Sequence, residues 1–398
     1  MKPKKFEVVC AVPRSGRTFE NFLAKLQAFG VNTKEIEKIL EVSKKSKSVS
    51  NVDFLEASKF LKDAIEKIPC FGLFVDRKRL NRPYRIGFLG YEWLIDDIWI
   101  RIEGEEPHNG SSLISLNEVD CAVVGLDELL TMTQYYLRDP TIVNKWGMYN
   151  YNLKPATRIR IAGSAQLTRY NPVLGQEVQD MVGFFLISKP KSFSSSSKKE
   201  PKYPLDFLAH LSEHGRRVFV KGRYAGVVGA AYPELNVVSV EENVEEAVLE
   251  AETGSVGLEI VQTGNTLKRK GLVLHGVPLF LSESLYVVDY YRYLKNQPLQ
   301  RFLHDTVKPV GYFAEERIRQ FALWYLALER NLGDSWLNKP SITELFCDSQ
   351  DSANGLRPYR LQTRYWKPDD VYKQDEAIAM LKDSKAKLLA FYEKYKHE

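Results

Sequence analysis

Cysteine is scarce in this chain of 398 residues. The four present, Cys10, Cys70, Cys121 and Cys347, are widely spaced and form no C-x-x-C pair. That excludes a zinc cluster of ordinary spacing and a disulfide framework, and it fits a reducing cytoplasm. Long apolar runs are also missing. The most apolar region, Leu272 to Tyr291, is interrupted by His275, Pro278, Ser282, Glu283 and Asp289, so no span of about 18 apolar residues crosses a membrane. An excess of one charge is lacking as well, since 56 Lys and Arg against 51 Asp and Glu leave a net charge of +5. Spread over so long a chain, that excess gives no reason to expect nucleic acid as a partner. No G-x-G-x-x-G or Walker lysine is present, and Gly226-Val-Val-Gly229 reads as a turn between strands.

What is present is globular in composition, with 44% hydrophobic and 27% charged residues. At roughly 150 residues per domain, two or three domains are expected. Phe6 to Val12 reads as a strand rather than a secretory leader, because Glu7 interrupts it and Pro13 and Arg14 follow. Phe19, Phe22, Leu23, Leu26 and Phe29 then recur at helical spacing. The Lys/Ser-rich stretch Ser43 to Ser50 reads as punctuation. Tyr84 to Leu89 and Ile98 to Ile102 read as strands around a turn from Gly90 to Asp97. Val119 to Val124 reads as a buried strand ending at Gly125, and Asp127 to Leu130 as the opening turn of a helix. Residues from Thr131 to Val182 read as an irregular insertion with one strand near Arg158 to Ala162, and Lys189 to Pro204 as a surface loop.

Beyond these, α/β alternation is regular. Strands are expected at Gly183 to Ser188, Arg217 to Val220, Asn236 to Val240 and Gly257 to Val261, with a helix from Val244 to Ala251. Amphipathic helices are expected through Phe313 to Leu328 and Ile378 to Tyr395, making residues 299–398 a mainly helical extension. His210 and His214 lack a third ligand and read as a solvated pair. Arg357, Arg360 and Arg364 with Tyr359, Tyr365 and Trp366 read as an aromatic cap of the extension.

The segment with the most chemistry is Gly257-Leu-Glu-Ile-Val-Gln-Thr-Gly-Asn-Thr-Leu267. A tight turn after a strand directs backbone N–H groups at a phosphate, Gly264 permits close approach, and the Thr263 and Thr266 hydroxyls add donors. Glu259, on the strand before it, is placed to meet ribose hydroxyls. The same residues are also compatible with a plain polar turn and an exposed glutamate. The combination suits a phosphorylated sugar.

Here the sequence resembles the catalytic part of the ATP phosphoribosyltransferase family of histidine biosynthesis. Three ordered segments carry the likeness. Glu246, Glu259 and Thr263-Gly264-Asn265-Thr266-Leu267, followed by Gly271-Leu272-Val273, resemble the family's glutamate, acidic strand residue and Ser/Thr-Gly-x-Thr-Leu turn. Val12-Pro13-Arg14-Ser15-Gly16-Arg17 resembles its Leu-Pro-Lys-Gly-Arg loop with one residue inserted. Val119-Asp120-Cys121-Ala122-Val123-Val124-Gly125-Leu126-Asp127-Glu128-Leu129-Leu130 resembles its Ala-Asp-Leu-Gly-Ile-x-Gly-x-Asp-x-Leu. The chain departs from the pattern at Glu259 (usually Asp), Glu252 (usually Gly), Gly257 (Val or Ile) and Leu126 (often Arg).

The resemblance implies an α/β fold of two periplasmic-binding-protein-like lobes with a central cleft. The expected boundaries are residues 1–182 for the first lobe, completed by 272–298, then 183–271 for the second and 299–398 for the helical extension. It implies a magnesium-dependent phosphoribosyltransferase that moves ribose 5-phosphate from phosphoribosyl diphosphate to a nitrogenous acceptor, ATP or a different base or nucleotide. The catalytic residues would be Glu259 and Arg17. Thr263, Gly264, Asn265 and Thr266 would bind phosphoribosyl diphosphate, and Arg14, Ser15, Gly16, Gly125 and Asp127 the acceptor or pyrophosphate. Mg2+ would bind through the diphosphate and ribose oxygens, with no dedicated metal residues named. The protein would be cytoplasmic and a homodimer, with no nucleic-acid or membrane partner. The alternative is a non-catalytic two-lobed ligand-binding or regulatory homologue.

Overall fold

A computed structural model describes residues 6–28, 30–68, 70–77, 83–125, 127–128, 159–165, 167–190, 192, 211–231, 234–241, 243–306, 315–333 and 337–338. The chain begins with β1 (Val8–Pro13), α1 (Arg17–Ala28), α2 (Thr33–Val49), α3 (Phe54–Lys67), β2 (Phe71–Val75) and β3 (Tyr84–Phe88). Next come β4 (Gly90–Ile95), β5 (Ile98–Glu105), α4 (Gly110–Ser115), β6 (Cys121–Gly125) and β7 (Ile159–Ser164). There follow β8 (Thr168–Asn171), β9 (Gln176–Gln179), β10 (Met181–Ser188), β11 (Arg217–Lys221), α5 (Gly222–Ala231), β12 (Asn236–Val240) and α6 (Val244–Glu250). The described elements end with β13 (Val256–Val261), α7 (Asn265–Lys270), β14 (Val273–Asp289), α8 (Tyr290–Lys295), α9 (Gln297–Thr306), α10 (Glu315–Leu332) and β15 (Leu337–Asn338).

Contacts divide the chain into two compact units. Met1–Leu129, Pro140–Thr168 and Ser284–Pro309 form the first, and Leu130–Asp139, Arg169–Glu283 and Val310–Glu398 the second. These divisions differ from the boundaries read from the sequence. Among the described residues the second unit begins at Arg169 rather than 183, and the first resumes at Ser284, within β14, rather than at 272. The reason lies in pairing: β10 from Met181 to Ser188 and β14 up to Glu283 hydrogen-bond each other, so both belong to one sheet there. The extension is divided too, α9 belonging to the first unit and α10 to the second. The helix expected from Ile378 to Tyr395, the cap from Arg357 to Trp366 and His210 lie outside the described residues.

The two units are built on one plan. In the first, β1 is the middle of a parallel trio with β5 and β6, β14 runs antiparallel beside β6, and β4 closes the other edge against β5. In the second, β11 is the middle of a parallel trio with β12 and β13, and β10 runs antiparallel beside β13 and pairs in turn with β14. In each trio the strand that comes first in sequence is central, and the other two flank it. This doubled α/β arrangement agrees with the two-lobed α/β architecture that the sequence led us to expect.

The first unit's core forms because α1 places Phe19, Phe22, Leu23 and Leu26 on one stripe, all at most 1% exposed, against Val8, Cys10 and Val12 of β1. Burial of each such side chain contributes about 1.5–3 kcal/mol. The same cluster takes in Leu299, Phe302 and Leu303 of α9.

Local chemistry explains where the elements depart from the sequence reading. Ser43 to Ser50 is not punctuation but lies almost wholly in α2, which Asn32 caps and which buries Ile36, Ile39, Val42, Ser43 and Ser46. Ser46 Oγ donates to the Ser43 carbonyl at 2.7 Å, so its burial leaves the hydroxyl satisfied. The turn expected over Gly90 to Asp97 narrows to Asp96 and Asp97, both at positive φ, because Gly90–Ile95 pairs with β5 as a hairpin. The supposed irregular insertion holds β7, β8 and β9, and Gly226 to Gly229 is helical, within α5, with Tyr224 and Val228 buried. Among the described residues no helix is long and apolar enough to cross a membrane.

Gly257 stands where the resembled family carries Val or Ile, and packing gives the reason. A Cβ there would lie 2.5 Å from Val244 Cγ1 and 2.7 Å from Val248 Cγ2, so α6 rests directly on the β13 backbone. Gly257→Val should therefore destabilise the protein by about 1–3 kcal/mol through overpacking. Urea denaturation checks this; an unchanged midpoint would mean that α6 is not seated on β13.

Candidate functional site

In an open α/β sheet, ligands bind outside the carboxyl ends of the strands, where the connections of two adjacent strands leave in opposite directions. In the second unit that point lies at the ends of β11 and β13. Glu259 is on β13, and the turn Gln262-Thr263-Gly264 leads from this strand into α7. Gly264 has φ +75°, which favours glycine, and its carbonyl accepts from Lys268 N–H at 3.1 Å to begin the helix. Asn265 and Thr266 are exposed, whereas Thr263 is half-buried and Gly264 buried.

Glu259 shares a strand face with Gly257, the face that α6 covers. Its Oε1 accepts from Ile260 N–H at 2.8 Å. Burial, and then the Glu245 carboxylate, push its carboxyl up to about 7; the Ile260 N–H, Lys221 and Lys270 oppose the rise. Lys270 lies 3.4 Å from Glu246 and 3.9 Å from Glu245, so the strand ends carry a mixed cluster of charge. Lys221 ends β11 and α5 begins at Gly222, at the same edge. Sequence reasoning missed this junction. The available signal was Arg217 to Lys221 followed by a glycine, which the presence of two further glycines disguised as a turn.

The first unit's equivalent point lies at the ends of β1 and β6, and the remaining predicted residues are there. Ser15-Gly16-Arg17-Thr18 repeats the pattern of Thr263-Gly264-Asn265-Thr266, a hydroxyl residue, a glycine, a variable residue and Thr. Gly16 has φ +91° and its carbonyl accepts from Glu20 N–H at 3.1 Å, so it begins α1 as Gly264 begins α7. The two glycines differ in surroundings. A Cβ at Gly16 would meet nothing within 4 Å, whereas one at Gly264 would meet Leu332 Cδ2 at 2.5 Å. Ser15 and Arg17 are exposed. Gly125 ends β6 opposite Ser284, and Asp127 follows it, half-buried.

Arg14 has partners within the chain. Its Nη2 is 2.9 Å from Glu105 Oε2, its Nε is 3.7 Å from Glu106 Oε1, and its guanidinium lies 4.2 Å from the Phe74 ring centroid. Arg85 holds Glu106 from the other side at 2.7 Å. With its side chain only 13% exposed, Arg14 ties the β1 loop to the end of β5. The structure thus groups Glu259 with Thr263 to Thr266 in one unit, and Arg14 to Arg17 with Gly125 and Asp127 in the other.

Among the described residues no group of three or more His, Cys, Asp or Glu side chains could hold a metal ion. His214 is exposed. A cavity of about 540 Å³ lies elsewhere, lined by Val42, Phe60, Ala64, Ile68 and charged residues of α2 and α3, and includes none of the predicted residues.

No family model matches the sequence, and no curated protein matches it. Among solved structures, the ATP phosphoribosyl transferase (HisG:HisZ) complex from Thermotoga maritima is similar at 12% identity and a TM-score of 0.37, over 75% of this chain and 96% of that one. The arginine-bound form of truncated ArgBP from T. maritima is similar at 11% identity and a TM-score of 0.28, over 52% of this chain and 78% of that one. The periplasmic domain of B. pertussis BvgS is similar at 10% identity and a TM-score of 0.29, over 58% and 36%. Likenesses of this size leave the fold to be read from the strand order itself.

The environment of Glu259 has a measurable consequence. Its folded-state pKa is raised from 4.5 to about 7, so its favourable contribution is complete below about pH 4.5 and is lost as pH rises through about 7. Glu259→Gln has no proton to lose. Its stability relative to wild type should grow between pH 5 and pH 8 by on the order of 2 kcal/mol, as read by urea denaturation at the two pH values. An equal difference at both would contradict the raised pKa.

Proposed function

We propose that the protein is a phosphoribosyltransferase, in which the second unit's β13–α7 turn binds the 5-phosphate of phosphoribosyl diphosphate. The observation that supports this reading is placement: both residue groups singled out in the sequence lie at the carboxyl ends of parallel strands, after β1 and β6 in the first unit and after β13 in the second, where α/β sheets receive ligands. On this reading Thr263, Asn265 and Thr266 offer hydroxyl, amide and backbone donors to the phosphate. The loop Ser15-Gly16-Arg17, with Gly125 and Asp127, serves the acceptor or the pyrophosphate.

In the reaction, the lone pair of an acceptor nitrogen forms a bond to C1 of ribose. The bond from C1 to the diphosphate oxygen breaks, and pyrophosphate leaves with the electron pair. Positive charge gathers on C1 and the ring oxygen, and a nearby carboxylate stabilises it. Glu259 is the residue proposed for this role. Because it must be ionised to act, turnover would rise as pH passes through about 7. Magnesium would be held by the diphosphate oxygens and its own waters rather than by a protein cage, and it would neutralise the charge of the leaving pyrophosphate.

The raised pKa also favours the second reading, ligand binding without transfer, since a carboxyl partly protonated at neutral pH is a weaker partner for developing positive charge. Pyrophosphate release separates the two readings.

Titration calorimetry with magnesium and phosphoribosyl diphosphate tests the proposal. Wild type should bind, and Thr266→Val should bind about tenfold more weakly for loss of a hydrogen bond to a charged group. Equal binding by both would remove the turn from the site, and no binding by folded wild type would end the phosphoribosyl reading.

A further inference from the structure

The turn proposed to bind phosphate is held from behind by α10, whose contacts with it are specific to particular atoms. Trp324 Nε1 donates to the Gln262 carbonyl at 3.1 Å. Asn331 Nδ2 donates to the Thr263 carbonyl and, at 2.8 Å, to Asn265 Oδ1. The Asn331 carbonyl accepts from Lys268 Nζ at 2.7 Å. Between these bonds, Leu328 and Leu332 lie against Gly264 so closely that a Cβ would meet Leu332 at 2.5 Å and Leu328 at 3.2 Å. Trp324, Leu328, Asn331 and Leu332 follow the i, i+4, i+7, i+8 spacing of one helix face.

The chemical effect follows from peptide geometry. In a trans peptide the C=O and the next N–H point to opposite sides. The Gln262 and Thr263 carbonyls are both directed at donors on α10, so the N–H groups of Thr263 and Gly264, in the same peptide units, are directed away from it. An anion approaching from that side meets donors. A flip of either peptide would present it with a carbonyl oxygen instead, turning attraction into repulsion. A short turn with glycine at its centre has little of its own to resist such a flip.

We infer that Trp324 and Asn331 are positioning residues: by fixing the two carbonyls, α10 makes the Gln262–Asn265 turn a surface of donors for phosphate. The inference rests on the reading of this turn as the phosphate-binding element. It gives α10, about 60 residues further along the chain, control over ligand affinity.

The test compares wild type, Trp324→Phe and Asn331→Ala with Leu326→Ala. Trp324→Phe keeps a ring but removes the donor. Leu326→Ala loosens the opposite face of α10 without removing a bond to the turn. Each protein is titrated calorimetrically with magnesium and phosphoribosyl diphosphate at a temperature where circular dichroism shows it folded. The first two variants should bind about tenfold more weakly, with Leu326→Ala at wild-type affinity. Wild-type affinity in both donor variants would overturn the inference. So would an equal loss in Leu326→Ala, which would show that α10 matters only as a structural support.

If wild type does not bind phosphoribosyl diphosphate, the functional reading fails and the inference is decided with inorganic phosphate. Backbone amide resonances of residues 263–266 should then shift on phosphate addition in wild type and not in the two donor variants. No shift in wild type, or equal shifts in all, would overturn it.

Discussion

The central strand of each parallel trio sets the chemistry of this protein. β1 has β5 on one side and β6 on the other, and β11 likewise has β12 and β13. Where the connections of two adjacent parallel strands leave in opposite directions, a crevice opens at their carboxyl ends. Each unit carries the same local pattern, after the central strand β1 in the first and after the flanking strand β13 in the second. A strand ends, a hydroxyl residue and a glycine of positive φ follow, and a helix begins. The glycine is required by the backbone conformation, since a side chain at φ near +75° or +91° is strained.

From that shared start the units diverge. Around Gly264 the space behind the turn is filled by Leu328 and Leu332, and the carbonyls on either side of Thr263 are bound to α10. Around Gly16 the space is open, and order comes instead from charge, with Arg14 held by Glu105 and Glu106 under Phe74. Partly buried ion pairs of this kind position a loop more than they stabilise a fold, because the desolvation of each charge offsets much of the attraction. Glu259 is the converse case, a carboxyl raised to about 7 because burial and Glu245 outweigh the lysines nearby. A buried carboxyl poised near neutral pH is suited to acid–base or electrostatic work.

The parts legible in the sequence were those decided locally. β1, β6, β11 and β13 are short apolar runs bounded by turn residues, and α1 and α6 follow helical periodicity, so their existence and order could be read directly. The turn at Gly264 could be read for the same reason. What could not be read depends on contacts distant in sequence. α2 carries lysines and serines that look like a linker until Ile36, Ile39 and Val42 find a core. α5 contains glycines that weaken its helical signal and forms because Tyr224 and Val228 have a face to bury. The pairing of Arg14 with Glu105 could not be read, because the two are 91 residues apart. Nothing in the sequence near Thr263 announces Trp324 or Asn331.

Ligand binding at the carboxyl ends of β1 and β13 is the central proposal. Hydrogen exchange of the intact protein, with and without magnesium and phosphoribosyl diphosphate, tests this most directly. The account predicts slowed exchange in the segments Pro13–Thr18 and Val261–Leu267, with α2 and α3 unchanged. Protection along the cavity between α2 and α3 instead, with none at the strand ends, would contradict it.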